Sequence, residues 1–306
     1  MINKTAFIFP GQGAQYVGMG KDLYDNSPSA KKIFEKADRI LNFELTKLCF
    51  EGPEELFKKT DTCQVAIFTV SIATLEVFKE KGRYEADFLA GLSLGEYTAL
   101  VASGAISFEE ALILIRRRGQ FMQEAAQENP GKMASILGLS RALTEEVARD
   151  SGAEVANINS PGQIVISGSL AEVEKAKKLA IEKGAKRTID LEVSGAFHSK
   201  FMKGAGIKLE KELANIKINL PEKPVVSNVE ARPYKDIRQI KEYLVRQVSS
   251  PVLWQDSCEF MIKEGVGQFF EIGPGKVLKN LLRRIDENAR VDNIETQEDI
   301  IKLPNC

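Results

Sequence analysis

The feature that most constrains the fold is a change of rhythm along the chain. Short apolar segments alternate with helical patterns at the start: a strand over residues 6–9, helices through 29–41 and 64–81, a strand over 88–90, and a helix from Leu94 onward. Strands separated by helices pair in parallel, so this part reads as one mainly parallel sheet covered on both faces. Between about 130 and 197 the order becomes β-α-β-β-α-β. Its parts are apolar 133–137, helical 143–150, apolar 155–159, a Ser160-Pro161-Gly162 turn, apolar 164–167, helical 171–183 and apolar 188–193. That is the ferredoxin-like order. After His198 the alternation resumes with a strand at 224–227, helices over 237–248 and 254–263, a strand at 268–272 and a helix from Val277. The expectation is an α/β protein with a large domain of residues 1–129 and 198–306 and a small ferredoxin-like domain of 130–197 inserted into it. The polar end, 286–306, reads as loosely held.

Charge and composition narrow the partners. The 306 residues carry 42 Lys+Arg against 43 Asp+Glu, a net charge of −1, which leaves no global basic field for a nucleic-acid backbone. With 43% hydrophobic and 28% charged residues, the chain has the composition of a globule with a real core. The most apolar stretch, 65–78, is interrupted by Thr69, Ser71, Thr74 and Glu76, so no membrane span is expected. Cys49, Cys63, Cys258 and Cys306 show no C-x-x-C spacing, and there is one histidine, so neither a zinc site nor a disulfide framework is expected. These features fit a reducing cytoplasm, and the lack of any coiled-coil pattern favours a monomer.

Chemistry enters at Gly91-Leu92-Ser93-Leu94-Gly95, a G-x-S-x-G placed directly between an apolar strand and a helical run. That is the setting of a nucleophile elbow, where a sharp turn lifts the serine oxygen above the sheet end and the next N–H, that of Leu94, faces the site of a developing oxyanion. A serine needs a base, and His198 is the only imidazole, lying where the small domain returns to the large one. No Asp or Glu is marked as a third member, and a backbone or amide carbonyl would orient the histidine equally well. Arg118 shares a helical face with Ala111, Leu114, Ile115, Met122 and Ala125, whereas Arg116 and Arg117 read as a solvated basic helix end. An inward guanidinium must meet an anion, either a structural carboxylate or one on the substrate. The turns at Gly11-Gln12-Gly13 and Gly273-Pro274-Gly275 fail the dinucleotide and P-loop patterns, because Tyr16, Phe270 and Val277 stand at required positions. The first can still offer a second oxyanion donor.

Together these segments resemble the malonyl-CoA:acyl carrier protein transacylases and the acyltransferase domains of polyketide synthases, over nearly the whole chain. The resembling pieces are Gly11-Gln12-Gly13-Ala14-Gln15, Gly91 through Tyr97, Arg118-Gly119 with Met122-Gln123, Asn157 through Gln163, Phe197-His198-Ser199, Gln247 before Ser250-Pro251-Val252, and Glu271 through Gly275. The resemblance implies an α/β-hydrolase-like large domain, Ser93 as nucleophile and His198 as base. It further implies Arg118 as clamp on a malonyl carboxylate, the N–H groups of Gln12 and Leu94 as oxyanion hole, the Gln247 carbonyl as orienter of the histidine, and Ala196-Phe197 as determinants of malonyl selection. Malonyl-CoA and an acyl carrier protein are the implied partners, with no cofactor and no metal, and fatty-acid or polyketide synthesis as the setting. One position departs from the family's pattern: Leu92 stands where the residue before the nucleophile is commonly His. Two other functions use the same residues: a serine acyl-thioester hydrolase with water as acceptor, and an inactive carrier-protein-binding module.

Overall fold

The computed structural model describes residues 4–82 and 84–303. Its strands are β1 (Lys4–Phe9), β2 (Phe88–Gly91), β3 (Lys132–Leu137), β4 (Glu154–Ser160), β5 (Gln163–Gly168), β6 (Arg187–Asp190), β7 (Val266–Ile272) and β8 (Arg290–Ile294). They form two sheets. The order β2-β1-β7-β8 is parallel at every pairing, and β4-β5-β3-β6 is antiparallel at every pairing. The protein is thus α/β, with an α/β-hydrolase-like parallel part and a ferredoxin-like part.

Period-two alternation explains why β1 is apolar from Ala6 to Phe9. Phe7 and Phe9 enter the cluster built around helices Thr60–Glu80 and Phe108–Glu128, while Ala6 and Ile8 enter a second cluster with Trp254, Met261 and Leu278 on the other face. The same alternation splits the second sheet. Ala134, Ile136 and Ile166 pack under helices Arg141–Ser151 and Leu170–Glu182 with Val147, Val173 and Ala176, whereas Met133 and Val165 point the opposite way, into the first cluster. Edge strand β4 is tied to the remainder by Val252, whose N–H donates to Ala156 O at 2.9 Å and whose carbonyl accepts from Ile158 N–H at 2.9 Å. That link also blunts an exposed sheet edge.

Several expectations need correction. Residues 224–227 form no strand of their own: Val225 makes a single parallel bridge to Leu89. Pro224 and Pro233 lack the N–H a ladder needs, and the chain turns back through Ala231 at φ 51°. β6 stops at Asp190, after which Val193 N–H closes a tight turn on Leu191 O at 2.9 Å. Arg116 and Arg117 lie in the middle of Phe108–Glu128, not at its end, and Arg116 Nη1 donates to Leu41 O at 2.8 Å. Helix Lys203–Asn215 was not expected from the pattern. The polar end is also held: β8 pairs with β7, Thr296 and Asp299 form a capping box on Gln297–Lys302, and Gln297 N–H donates to Asp22 at 2.7 Å. Cys306 lies outside the described residues, while Cys49, Cys63 and Cys258 are free and buried. Helix Thr60–Glu80 is long and apolar enough to cross a bilayer, since helix length counts its polar interruptions, yet it is packed inside the protein.

Candidate active site

Ser93 joins β2 to helix Leu94–Ala102 at φ 52° and ψ −99°, a conformation that L-residues avoid and that needs support from its surroundings. The flanking glycines allow it. A Cβ on Gly91 would lie 2.0 Å from Gly95 C, and one on Gly95 would lie 2.1 Å from Phe9 O, so the elbow folds tightly on itself and onto β1. Asn228 fastens both sides of the turn: its Oδ1 accepts from Ser93 N–H and its Nδ2 donates to Gly91 O, each at 2.7 Å.

His198, itself at φ 57°, brings Nε2 to 2.9 Å from Ser93 Oγ. Its Nδ1 lies 2.7 Å from the backbone carbonyl of Gln247, an acceptor only, so Nδ1 carries the proton and Nε2 is left with its lone pair toward the serine. Burial and the nearby Arg118 charge push its pKa down to about 4, so the imidazole is neutral near pH 7 and able to accept a proton. The open question of a third member thus has a geometric answer, a carbonyl rather than a carboxylate.

Arg118 is only 1% exposed. Its Nη2 donates to Ser93 Oγ and to Gln247 Oε1, both at 2.9 Å, its Nη1 donates to Gln64 Oε1 at 2.6 Å, and Nε is buried with no partner among the described residues. Tyr97 places its ring 5.2 Å beneath the guanidinium. Every acceptor here is neutral, and no Asp or Glu forms an ion pair with Arg118 among the described residues. Of the two anions the sequence left open, the structural carboxylate is the one that is not in contact.

A cavity of about 160 Å³ opens over Ser93, lined by Gln12, Leu94, Met122, Met133, Phe197 and His198 among others. Gln12 and Leu94 both line it together with the serine, and neither backbone N–H has a protein acceptor among the described residues. Phe197 and Leu92 line the cavity; Ala196 does not, and it packs toward Gly131 instead. Met133 and Val165 form part of the wall, so the second sheet contributes to the site the face turned away from its own two helices. Glu271 accepts from the N–H groups of Leu278 and Lys279 at 2.9 and 2.8 Å, which anchors helix Val277–Ile285 and sets its Val277 and Leu281 in the lining.

Gln64, Glu96, Asn228 and Tyr234 complete the site and received no role from sequence reasoning. Gln64 and Glu96 carried a signal: each is a long polar side chain among mainly apolar helical neighbours. Asn228 and Tyr234 carried none, because they come from an irregular segment whose position only the fold decides.

Comparison with known proteins places the whole chain in one family. The acyl transferase domain family matches residues 6–300. The malonyl CoA-acyl carrier protein transacylase of Bacillus subtilis is 47% identical over 304 residues, 98% of this chain and 96% of that one. The crystal structure of the Clostridium perfringens transacylase superposes with a TM-score of 0.94 at 42% identity, covering 98% of this chain and 95% of that one. A malonyl-transacylase solved in complex with a type II polyketide-synthase acyl-carrier protein has a TM-score of 0.95 at 38% identity, covering 97% and 98%. An elbow serine, one imidazole and a buried arginine without a protein anion stand on a fold shared end to end with these relatives, and the chain belongs to the acyl transferase family as one of its malonyl CoA-acyl carrier protein transacylases.

Proposed function

We propose that the protein moves a malonyl group from malonyl-CoA to the phosphopantetheine thiol of an acyl carrier protein through a malonyl ester on Ser93. The observation that carries this reading is Arg118: a buried cation with no carboxylate partner, whose Nη2 stands 2.9 Å from the nucleophile oxygen. An acyl group ending in a carboxylate supplies the missing anion, whereas an acetyl group leaves the guanidinium unpaired. The substrate carboxylate exchanges with the Ser93 and Gln64 contacts on the two Nη atoms.

In the first half-reaction His198 Nε2 takes the Ser93 proton as Oγ attacks the thioester carbonyl. The resulting oxyanion rests on the Gln12 and Leu94 N–H groups, the latter at the N-terminus of a nine-residue helix whose dipole favours negative charge. The Gln247 carbonyl on Nδ1 stabilises the imidazolium. Collapse breaks the C–S bond, His198 returns the proton to the CoA sulfur, and malonyl-Ser93 remains. The carrier thiol then gives its proton to His198 and attacks the ester carbonyl, and the proton passes to Ser93 Oγ as the C–O bond breaks. Phe197 shapes the acyl end of the cavity, and Ala196 acts on it only through Phe197.

The chain divides, on this reading, into residues 1–129 with 198–306 and an inserted 130–197, a division supported by the separate hydrogen bonding of the two sheets. Its place is the cytoplasm, as a monomer, beside the carrier protein of fatty-acid or polyketide synthesis. Intact mass after brief malonyl-CoA exposure, with an acetyl-CoA control, tests the core of it. A malonyl-sized adduct that moves to a carrier thiol supports the transacylase; release as free acid with no carrier product would replace it with the hydrolase.

A further inference from the structure

Glu96 lies on helix Leu94–Ala102, one turn past the nucleophile, and is 1% exposed. Its Oε1 accepts from Asn228 N–H at 3.1 Å and from the Tyr234 hydroxyl, and its Oε2 accepts from Gln247 Nε2 at 2.5 Å. All three partners donate, which suits an ionised carboxylate, a group with acceptors only. Burial pushes its pKa up to about 7, against the pull of those donors and of Arg118.

The Gln247 amide has one end of each polarity. Its Nε2 is committed to Glu96 and to Ser93 O, the latter at 2.9 Å, so Oε1 is the end that remains for Arg118 Nη2. Asn228, held by its backbone to the same carboxylate, carries the Ser93 N–H on its side chain. The serine and the arginine are therefore both tied, through one intervening residue each, to Glu96. A direct Glu96–Arg118 ion pair would satisfy the guanidinium and compete with a substrate carboxylate; one amide between them makes the two charges neighbours without making them partners.

We propose that Glu96 is a positioning residue for acyl selectivity, its carboxylate setting the polarity of the Gln247 amide and through it aiming Arg118 beside Ser93. This rests on the reading of Arg118 as the carboxylate clamp. In E96Q an N–H₂ group faces the Gln247 N–H₂, which leaves Ser93 O as the one acceptor fixing the polarity of the Gln247 amide and loosens the Oε1 acceptor that aims Arg118.

The test measures Ser93 acylation rates with malonyl-CoA and acetyl-CoA on the full chain. E96Q should lower the malonyl-to-acetyl rate ratio about tenfold or more, E96D should recover most of it, and in a Q247M background E96Q should change the ratio by less than about twofold. A merely structural Glu96 would slow both acyl groups by the same factor, and that result, or additive effects of E96Q and Q247M on the ratio, overturns the proposal. If E96Q does not fold, Q247M alone decides: an unchanged ratio overturns the relay and an about tenfold loss supports it. Should the parent protein form no malonyl ester at all, the failure lies with the transacylase reading. The crystal structure of E96Q then reads the relay without substrate, by whether Arg118 Nη2 leaves Gln247 Oε1 or keeps its 2.9 Å contact.

Discussion

Two groups of charges in this molecule behave in opposite ways. At the surface between the second sheet and helix Leu170–Glu182, Lys132, Lys177, Glu174 and Asp190 form a balanced network: Asp190 meets Lys177 at 2.8 Å and Lys132 at 3.1 Å, and Glu174 meets Lys177 at 3.0 Å and Lys132 as well. Each charge touches two of the opposite sign, and water reaches all of them. Beneath Ser93 the buried Arg118 and Glu96 also balance in sign, but they do not touch, and Gln247 separates them. Screening makes the surface network cheap to alter. In the site the low dielectric makes each contact expensive, and the cation left without an anion is the feature that can select a substrate.

The largest break in that contrast comes from Ser93→Ala, which should abolish the covalent adduct with either acyl-CoA, read by intact mass. Next is Arg118→Ala. Loss of a buried pairing of about 3–5 kcal/mol predicts a fall of roughly 10²–10⁴ in malonyl acylation rate, with acetyl acylation far less affected. Stopped-flow or quenched acylation with both donors measures it; an equal loss of both would remove the clamp from the argument.

A pH series sharpens the comparison. His198 has its pKa lowered from 6.5 to about 4, so the neutral base persists well below the usual imidazole range. The acid limb of acylation, read with acetyl-CoA so that Glu96 and the Arg118 clamp do not enter, should fall near pH 4. Arg118 contributes to that lowering, so Arg118→Ala should move the limb toward higher pH. The same shift has a cost in stability. Between about 4 and 6.5 the unfolded chain binds the proton that the folded one refuses, so this group's contribution to stability declines as pH falls through that window. Chemical denaturation of the parent and of His198→Gln across those pH values measures it. Asp190→Asn should produce the smallest effect: a stability change within about 1 kcal/mol that shrinks further in high salt, and acylation unchanged. An activity loss there would mean that the outer face of the second sheet is coupled to the cavity wall on its inner face.

The architecture was legible where periodicity and chain order speak for themselves. The six elements between 132 and 190 follow the expected order because short apolar runs separate cleanly from helical periodicity, and β1 from Ala6 onward and β2 are apolar because both their faces are covered. Legibility failed where structure depends on a partner far along the chain. β8 has the look of a polar tail until β7 supplies its hydrogen bonds, and Val225 occupies a sheet edge by a single bridge that no local pattern announces.

For the site, the sequence by itself determined where the candidate nucleophile sits, through glycines that no other residue can replace in so tight an elbow, and the candidate base, through the presence of a single imidazole. It also placed an arginine on an apolar helix face. Only the tertiary structure decided that the Gln247 carbonyl implied by the resemblance lies on His198 Nδ1, that Arg118 meets no carboxylate among the described residues, and that Glu96, Asn228 and Tyr234 converge behind Ser93. The physical reason is that an elbow or a helical face is a property of neighbours along the chain. Whether a buried charge finds its counter-ion depends on which distant segments the fold packs beside it, and that is settled by the assembled core.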